Sequence, residues 1–283
     1  MKKWILTGLL MAAGAVMASA RQRVNPDENT LWIEDGAGVD LSGGLVSGRW
    51  LYRPGDKKSL ELRPKSEGGF SLFAPDGNGR STVTRVKVTP DYPFLVFHIT
   101  GFEALNGYRN WTVGTEIGSM TTCQVNSPQK GYYVYDLLRN LPEKEAARTS
   151  AWLRLWLYNL RMDLEYIKLV KQPDYAVRAE CADPVIRPGS NVKFVAELKE
   201  EAEDVSIRLM TDGQVMPIRV NGEMKIQLKP VDETCKVWTA ELIVKTLDLP
   251  KPRSRHKTLM KMDVLGGELE EPVWVGLPYR LEP

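Results

Sequence analysis

The sequence predicts an all-β protein built from two sandwiches. Short runs that alternate apolar and polar residues recur from Leu31 nearly to the C-terminus, and Gly, Pro, Asp and Asn break them every 8 to 12 residues or so. No amphipathic helix of ordinary length is visible; helix formers cluster only at 142–148, PEKEAAR, enough for a turn or two. A chain of 283 residues is long for one domain and comfortable for two. With 43% hydrophobic and 26% charged residues it has the composition of a folded globular protein, which argues against disorder.

Residues 1–20 stand apart. Lys2 and Lys3 precede an apolar run from Trp4 to Met17, and Ala18-Ser19-Ala20 supplies the small residues of a cleavage site, so the segment reads as a secretory signal peptide cut before Arg21. The run is short for a membrane crossing, and no cysteine follows it to take a lipid. The expected product is a secreted or periplasmic chain without a membrane span.

Residues 21–172 form the first expected domain. The runs LWIED, RWLY, LELR, GFSLFA, STVTRVKVT, PFLVFHITGF, WTVGTEI and YYVYDLL are separated by GAGVDLSGG, RPGD, KSEGG, PDGNG, PDYP and SPQKG, whose residues supply the backbone angles of turns. Ala151 to Lys171 closes the domain. There Leu153, Leu155 and Leu157 alternate with Trp152, Arg154, Trp156 and Tyr158, and after Asn159–Arg161 a second alternating run follows from Leu164 to Val170, which reads as a β-hairpin. The length and strand number suit an eight-stranded jelly roll.

The closing strand, Leu164-Glu165-Tyr166-Ile167 before Lys168, together with the opening LWIED, resembles the last and first strands of the galactose-binding-like jelly rolls that serve as carbohydrate-binding modules in secreted bacterial enzymes. That resemblance covers about half the chain. It implies a jelly roll, a sugar ligand and a structural calcium held by Glu34 and Glu165, with Asp163 as a neighbour, because calcium gathers several oxygen ligands. The pattern departs from the family in one respect: Glu34 is followed directly by Asp35 rather than by an alternating acid. The alternative role for Glu165 is to cap backbone groups near a strand end.

Gln172-Pro173-Asp174 marks the expected boundary, since proline cannot continue a central strand. Residues 173–283 again read as strands, with Asp212-Gly213 and Asn221-Gly222 as two-residue hairpin turns, and the pattern suggests an immunoglobulin-like or fibronectin-III-like sandwich. Two of the three cysteines lie here. A bridge between Cys181 and Cys235 would close a loop of roughly 55 residues, contributing about 4 kcal/mol in the chain-entropy model; the alternative is that all three, Cys123 included, are reduced and packed as small hydrophobes.

Removing Lys2 and Lys3 from the 38 basic residues leaves 36 against 36 acids, so electrostatics supply no reason to expect nucleic acid or an anionic membrane as partner. The basic run 251–257, KPRSRHK, reads as a solvated loop. Only His98 and His256 are available to a zinc site or a Ser-His-Asp triad, and His98 lies in the apolar run FLVFHI, where a hydrogen-bonded strand histidine is the expectation. No nucleophile elbow, phosphate loop or metal-ligand spacing is present in the sequence.

What remains is aromatic. Residues 21–172 hold 18 of the mature chain's Phe, Trp and Tyr and residues 173–283 hold 5, so recognition by rings belongs to the first domain. Sugars present C–H patches between hydroxyls, which suits an aromatic face accompanied by polar forks. Trp152, Arg154, Trp156 and Tyr158 supply that mixture on one strand face, and Tyr108, Trp111 and Trp50 are candidates to join it. The expected function is an exported, non-catalytic carbohydrate- or glycan-binding protein. The alternatives are a structural or adhesion component that buries the stripe against another exported protein, and a glycan hydrolase or lyase using carboxylates of the first domain.

Overall fold

The computed structural model describes residues 27–34, 61–74, 80–86, 89–104, 110–116, 125–126, 129–136, 151–158, 160–211, 217–249, 258–265, 271–277 and 279–283. Residues 1–20, expected to be a signal peptide, together with Trp50, Tyr108, Cys123, Asp212-Gly213, His256 and the 142–148 segment lie outside them. Among the described residues there is no helix, and the fold is an all-β sandwich.

In chain order the first half contains β1 (Thr30–Glu34), β2 (Glu61–Pro64), β3 (Phe70–Ala74), β4 (Arg80–Val86), β5 (Phe94–Ala104), β6 (Asn110–Glu116), β7 (Val125–Asn126), β8 (Gly131–Asp136), β9 (Ala151–Tyr158) and β10 (Leu160–Val170). The second half contains β11 (Tyr175–Cys181), β12 (Val185–Ile186), β13 (Asn191–Leu198), β14 (Asp204–Thr211), β15 (Arg219–Val220) and β16 (Ile226–Gln227). It continues with β17 (Lys229–Pro230), β18 (Val237–Ile243), β19 (Leu247–Asp248), β20 (Thr258–Leu265), β21 (Val273–Leu277) and β22 (Arg280–Leu281).

The largest sheet has the order β16-β14-β20-β21-β8-β5-β10-β3-β2, with β1 also paired to β10. Two four-stranded sheets, β4-β9-β6-β7 and β11-β13-β18-β17, accompany it. The boundary expected at Gln172–Pro173 falls between β10 and β11, yet the large sheet continues across it, because β21 pairs in parallel with β8 in the register Val273↔Tyr132, Trp274↔Tyr133 and Val275↔Val134.

The expected hairpin between Ala151 and Lys171 does not form. β9 pairs with β4 and β6, whereas β10 pairs with β1, β3 and β5, so consecutive strands belong to different sheets. Only Asn159 separates them, and the commonest hairpin loops need two residues with special backbone angles. Asn221-Gly222 does make such a turn, with φ of 54° and 87° and backbone bonds between Val220 and Glu223.

β5, β8 and β10 are covered on both faces. One face carries Leu95, Phe97, Ile99, Tyr133, Tyr135, Ile167 and Leu169, all buried. On the other, Val96, Val134 and Val170 join the core of the second half, with Val177, Phe194 and Trp238 among its members. Burial on both sides explains why FLVFHI is a nearly continuous apolar run rather than an alternating one.

The bridge between Cys181 and Cys235 is absent; both thiols are free and half-buried. Cys181 pairs with Val192 at the start of β13, while the turn holding Cys235 bonds to Ala202 and its neighbour Lys236 to Leu198, at the far end. Six residues of strand, about 20 Å, separate those ends, and a disulfide tolerates Cα atoms no more than about 7 Å apart.

Candidate functional site

Two constellations emerge from this framework. The first is the face of the β4-β9-β6 sheet that contains Trp152, Arg154, Trp156 and Tyr158. β9 is the central strand, and its register with both neighbours defines the rungs. Trp152 lies between Arg85 and Glu116, Arg154 between Val83 and Gly114, and Trp156 between Ser81 and Thr112. Tyr158 is opposite Asn110. Directly paired residues share a face, so hydroxylated residues flank position 156, an amide residue stands beside position 158, and two charged residues flank position 152.

Trp111 is not part of that face. Its partner is Leu157, on the aliphatic side of β9, because Trp111 and Val113 alternate with Thr112 and Gly114. Trp50 and Tyr108 lie outside the described residues, so the candidate face rests on β9 and its two neighbours.

The second constellation was not anticipated as a group. On the face of the large sheet turned toward the second half, Tyr166, His98, Tyr132 and Val273 occupy one rung across β10, β5, β8 and β21. His98 is 8% exposed and stacks on Tyr132 with ring centroids 4.0 Å apart and planes 10° apart. Its Nδ1 lies 2.6 Å from Glu165 Oε2 and its Nε2 lies 2.7 Å from Glu271 Oε2. Donating on both sides takes an imidazolium; a neutral ring has one N–H and would set a lone pair against the second carboxylate unless that carboxyl carried the proton.

A pair of irregularities aims Glu165. The β10–β5 register passes from Asp163↔Gly101 to Leu164↔Ile99, skipping Thr100, and then to Tyr166↔His98, leaving Glu165 as the extra residue of a bulge. Bulges re-aim side chains, and this one also switches which parity faces the core: Leu160, Met162 and Leu164 before it, Ile167 and Leu169 after it. Gly69 permits the close approach there, with φ of 71°; a Cβ on it would stand 2.3 Å from the Leu164 carbonyl oxygen.

Three carboxylates, those of Glu165, Glu271 and Asp174, and the Lys168 ammonium stand around these rings. Lys168 Nζ sits 4.7 Å over the Tyr166 ring and 3.9 Å from Asp174 Oδ2, and Tyr175 packs 5.9 Å from Tyr132. Burial, reinforced by the Glu165, Glu271 and Asp174 charges, pushes the Tyr132 phenol above its usual range. Burial likewise raises Tyr166, with Tyr132, Glu165, Asp174 and Tyr175 adding to it. Both phenols are thereby held neutral.

Of the residues expected to hold calcium, Glu165 and Asp163 are engaged by other side chains. Glu34 pairs in register with Ile167 rather than with Glu165. Glu165 is bound to His98, and Asp163 Oδ1 accepts from Ser71 Oγ at 2.6 Å and from Arg161 Nε at 3.3 Å. Among the described residues no group of three His, Cys, Asp or Glu is arranged to hold a metal ion. A cavity of about 340 Å³ lies farther along the same face of the large sheet, between Phe94, Asp136 and Val275 on one side and Val177, Arg178 and Glu197 on the other.

No family model and no curated protein matches the chain. Solved structures with partial likeness include a polysaccharide lyase, at 12% identity and a TM-score of 0.29, covering 82% of this chain and 35% of its own. A DUF4785-family protein from Legionella pneumophila aligns at 12% identity and a TM-score of 0.24, covering 81% of this chain and 69% of its own. The N-terminal domain of a Streptococcus gordonii adhesin gives 10% identity and a TM-score of 0.18, covering 76% and 62%. This chain thus spans about a third of the lyase. Likeness at this level carries no activity from one protein to another.

Proposed function

We propose that the chain is an exported, non-catalytic glycan-binding protein whose contact face is the β4-β9-β6 sheet, with a galactose-binding-like jelly roll in the first half and an immunoglobulin-like sandwich in the second. The observation that supports this reading is the rung pattern: aromatic positions 152, 156 and 158 and the arginine at 154 share one face of a central strand, bordered by Ser81, Thr112 and Asn110. A pyranose laid on an aromatic position meets hydroxyl and amide neighbours able to bond its rim. Stacking removes apolar area from water at about 25 cal/mol per Å².

The test uses the whole mature chain on a glycan array, beside Trp156→Ala. At least one glycan class should be retained, and the substitution should lower its retention at least tenfold while the melting temperature stays within a few degrees. Retention of no glycan, or equal retention by the variant, overturns the proposal. If Trp156→Ala instead unfolds the protein, Trp156→Phe keeps the test open: a ring that only packs will leave binding unchanged, and a ring that stacks on sugar will not.

A further inference from the structure

The charges on the same face suggest a narrower ligand class, and this step rests on the glycan-binding reading. Two guanidinium residues, Arg85 and Arg154, and one carboxylate residue, Glu116, occupy adjacent rungs at one end, while Ser81, Thr112 and Asn110 occupy the other. Arg85 and Arg154 are diagonal neighbours, as are Arg154 and Glu116, which places each pair roughly 7–8 Å apart at Cα. Glu116 can balance only one of the two arginines. The face therefore carries one cationic residue in excess, next to the aromatic positions.

We infer that the ligand is an acidic glycan, a polymer bearing uronate carboxylates. Arg154 and Trp156 are two residues apart on one strand face, a separation of about 7 Å, which matches a sugar stacked at position 156 whose own or neighbouring carboxylate meets the guanidinium. Arginine suits that partner because its planar fork bonds both carboxylate oxygens at once. Val83 and Gly114, which flank Arg154, have no hydroxyl or charge with which to engage it. A solvent-exposed arginine–carboxylate pair is in general worth only about 0–1 kcal/mol, so where Glu116 competes for Arg154 at the surface a ligand carboxylate can displace it.

The test is a panel of polyuronates, each paired with its methyl ester and accompanied by neutral polysaccharides, offered to the full mature chain by affinity electrophoresis. At least one polyuronate should be retained, its ester should bind at least tenfold more weakly, and retention should fall as salt rises. Arg154→Gln should reproduce the loss caused by esterification without changing the melting temperature. Equal binding of acid and ester, or retention of neutral or sulfated glycans alone, overturns the uronate assignment while leaving the glycan-binding reading in place. If Arg154→Gln does not fold, Arg85→Gln supplies the same comparison. Absence of binding to every polymer removes both.

Discussion

The two faces of the β10-β5-β8 strands are built from the same backbone and closed by different physics. On one face Phe97 stacks against Tyr133 with centroids 4.9 Å apart, and aliphatic side chains seal the rest. Tyr133 Oη satisfies itself on one residue, donating to the Gln129 carbonyl and accepting from the Gln129 amide, each at 2.9 Å. On the other face His98 stacks against Tyr132 in nearly the same way, but two glutamates complete the rung, one supplied by a bulge and one from just ahead of β21. Similar stacking thus serves a volume-filling core on one side and a hydrogen-bonded imidazole–carboxylate clasp between the two halves on the other. The first should respond to lost volume and the second to the loss of its polar partners.

The sharpest break is Phe97→Ala. A fully buried ring between Tyr133 and Tyr135 leaves a cavity on truncation, and the expected loss is about 3–5 kcal/mol, measured by urea unfolding with the slope unchanged. A smaller loss than that from His98→Ala would mean that the apolar face does not dominate. For His98→Ala the expectation is about 1–3 kcal/mol, toward the lower end because the Glu165 side chain is 55% exposed and solvent screens it. Combining it with Glu271→Ala should cost less than the sum of the two single changes; simple additivity would refute the clasp.

Alkaline titration separates the faces more finely. Burial raises the phenols of Tyr133, Tyr132 and Tyr166, so the folded state keeps protons that the unfolded chain begins to release near pH 10. Their stabilising contribution is complete below that pH and is lost progressively above it. Melting temperatures should fall from about pH 10 upward, and Tyr133→Phe should flatten part of the fall. A variant that melts in parallel with the parent over this range would show that Tyr133 does not titrate on unfolding.

Much of this was legible in the sequence, and the failures have identifiable causes. Strict alternation along Trp152–Tyr158 marked a strand that forms, and the turn formers KSEGG and PDYP fall between described strands. The hairpin reading failed because alternation reports that a strand exists without saying which strand it pairs with. The bulge did leave a trace, the switch from Leu160, Met162 and Leu164 to Ile167 and Leu169. Likewise Trp111-Thr112-Val113-Gly114 already sets Trp111 beside valine rather than among the polar positions. Nothing local could have brought Glu271 to His98, which lies 173 residues earlier; that contact depends on how β21 docks.

The docking of β21 also sets the order in which the molecule can be made. Until residue 277 has emerged from the ribosome, β8 has no neighbour on one side, and its unpaired amides and carbonyls offer a template to any other extended chain. A fragment ending at Lys171 should therefore associate with itself rather than persist as a monomer. The first half has reason to remain unfolded until β21 has been made.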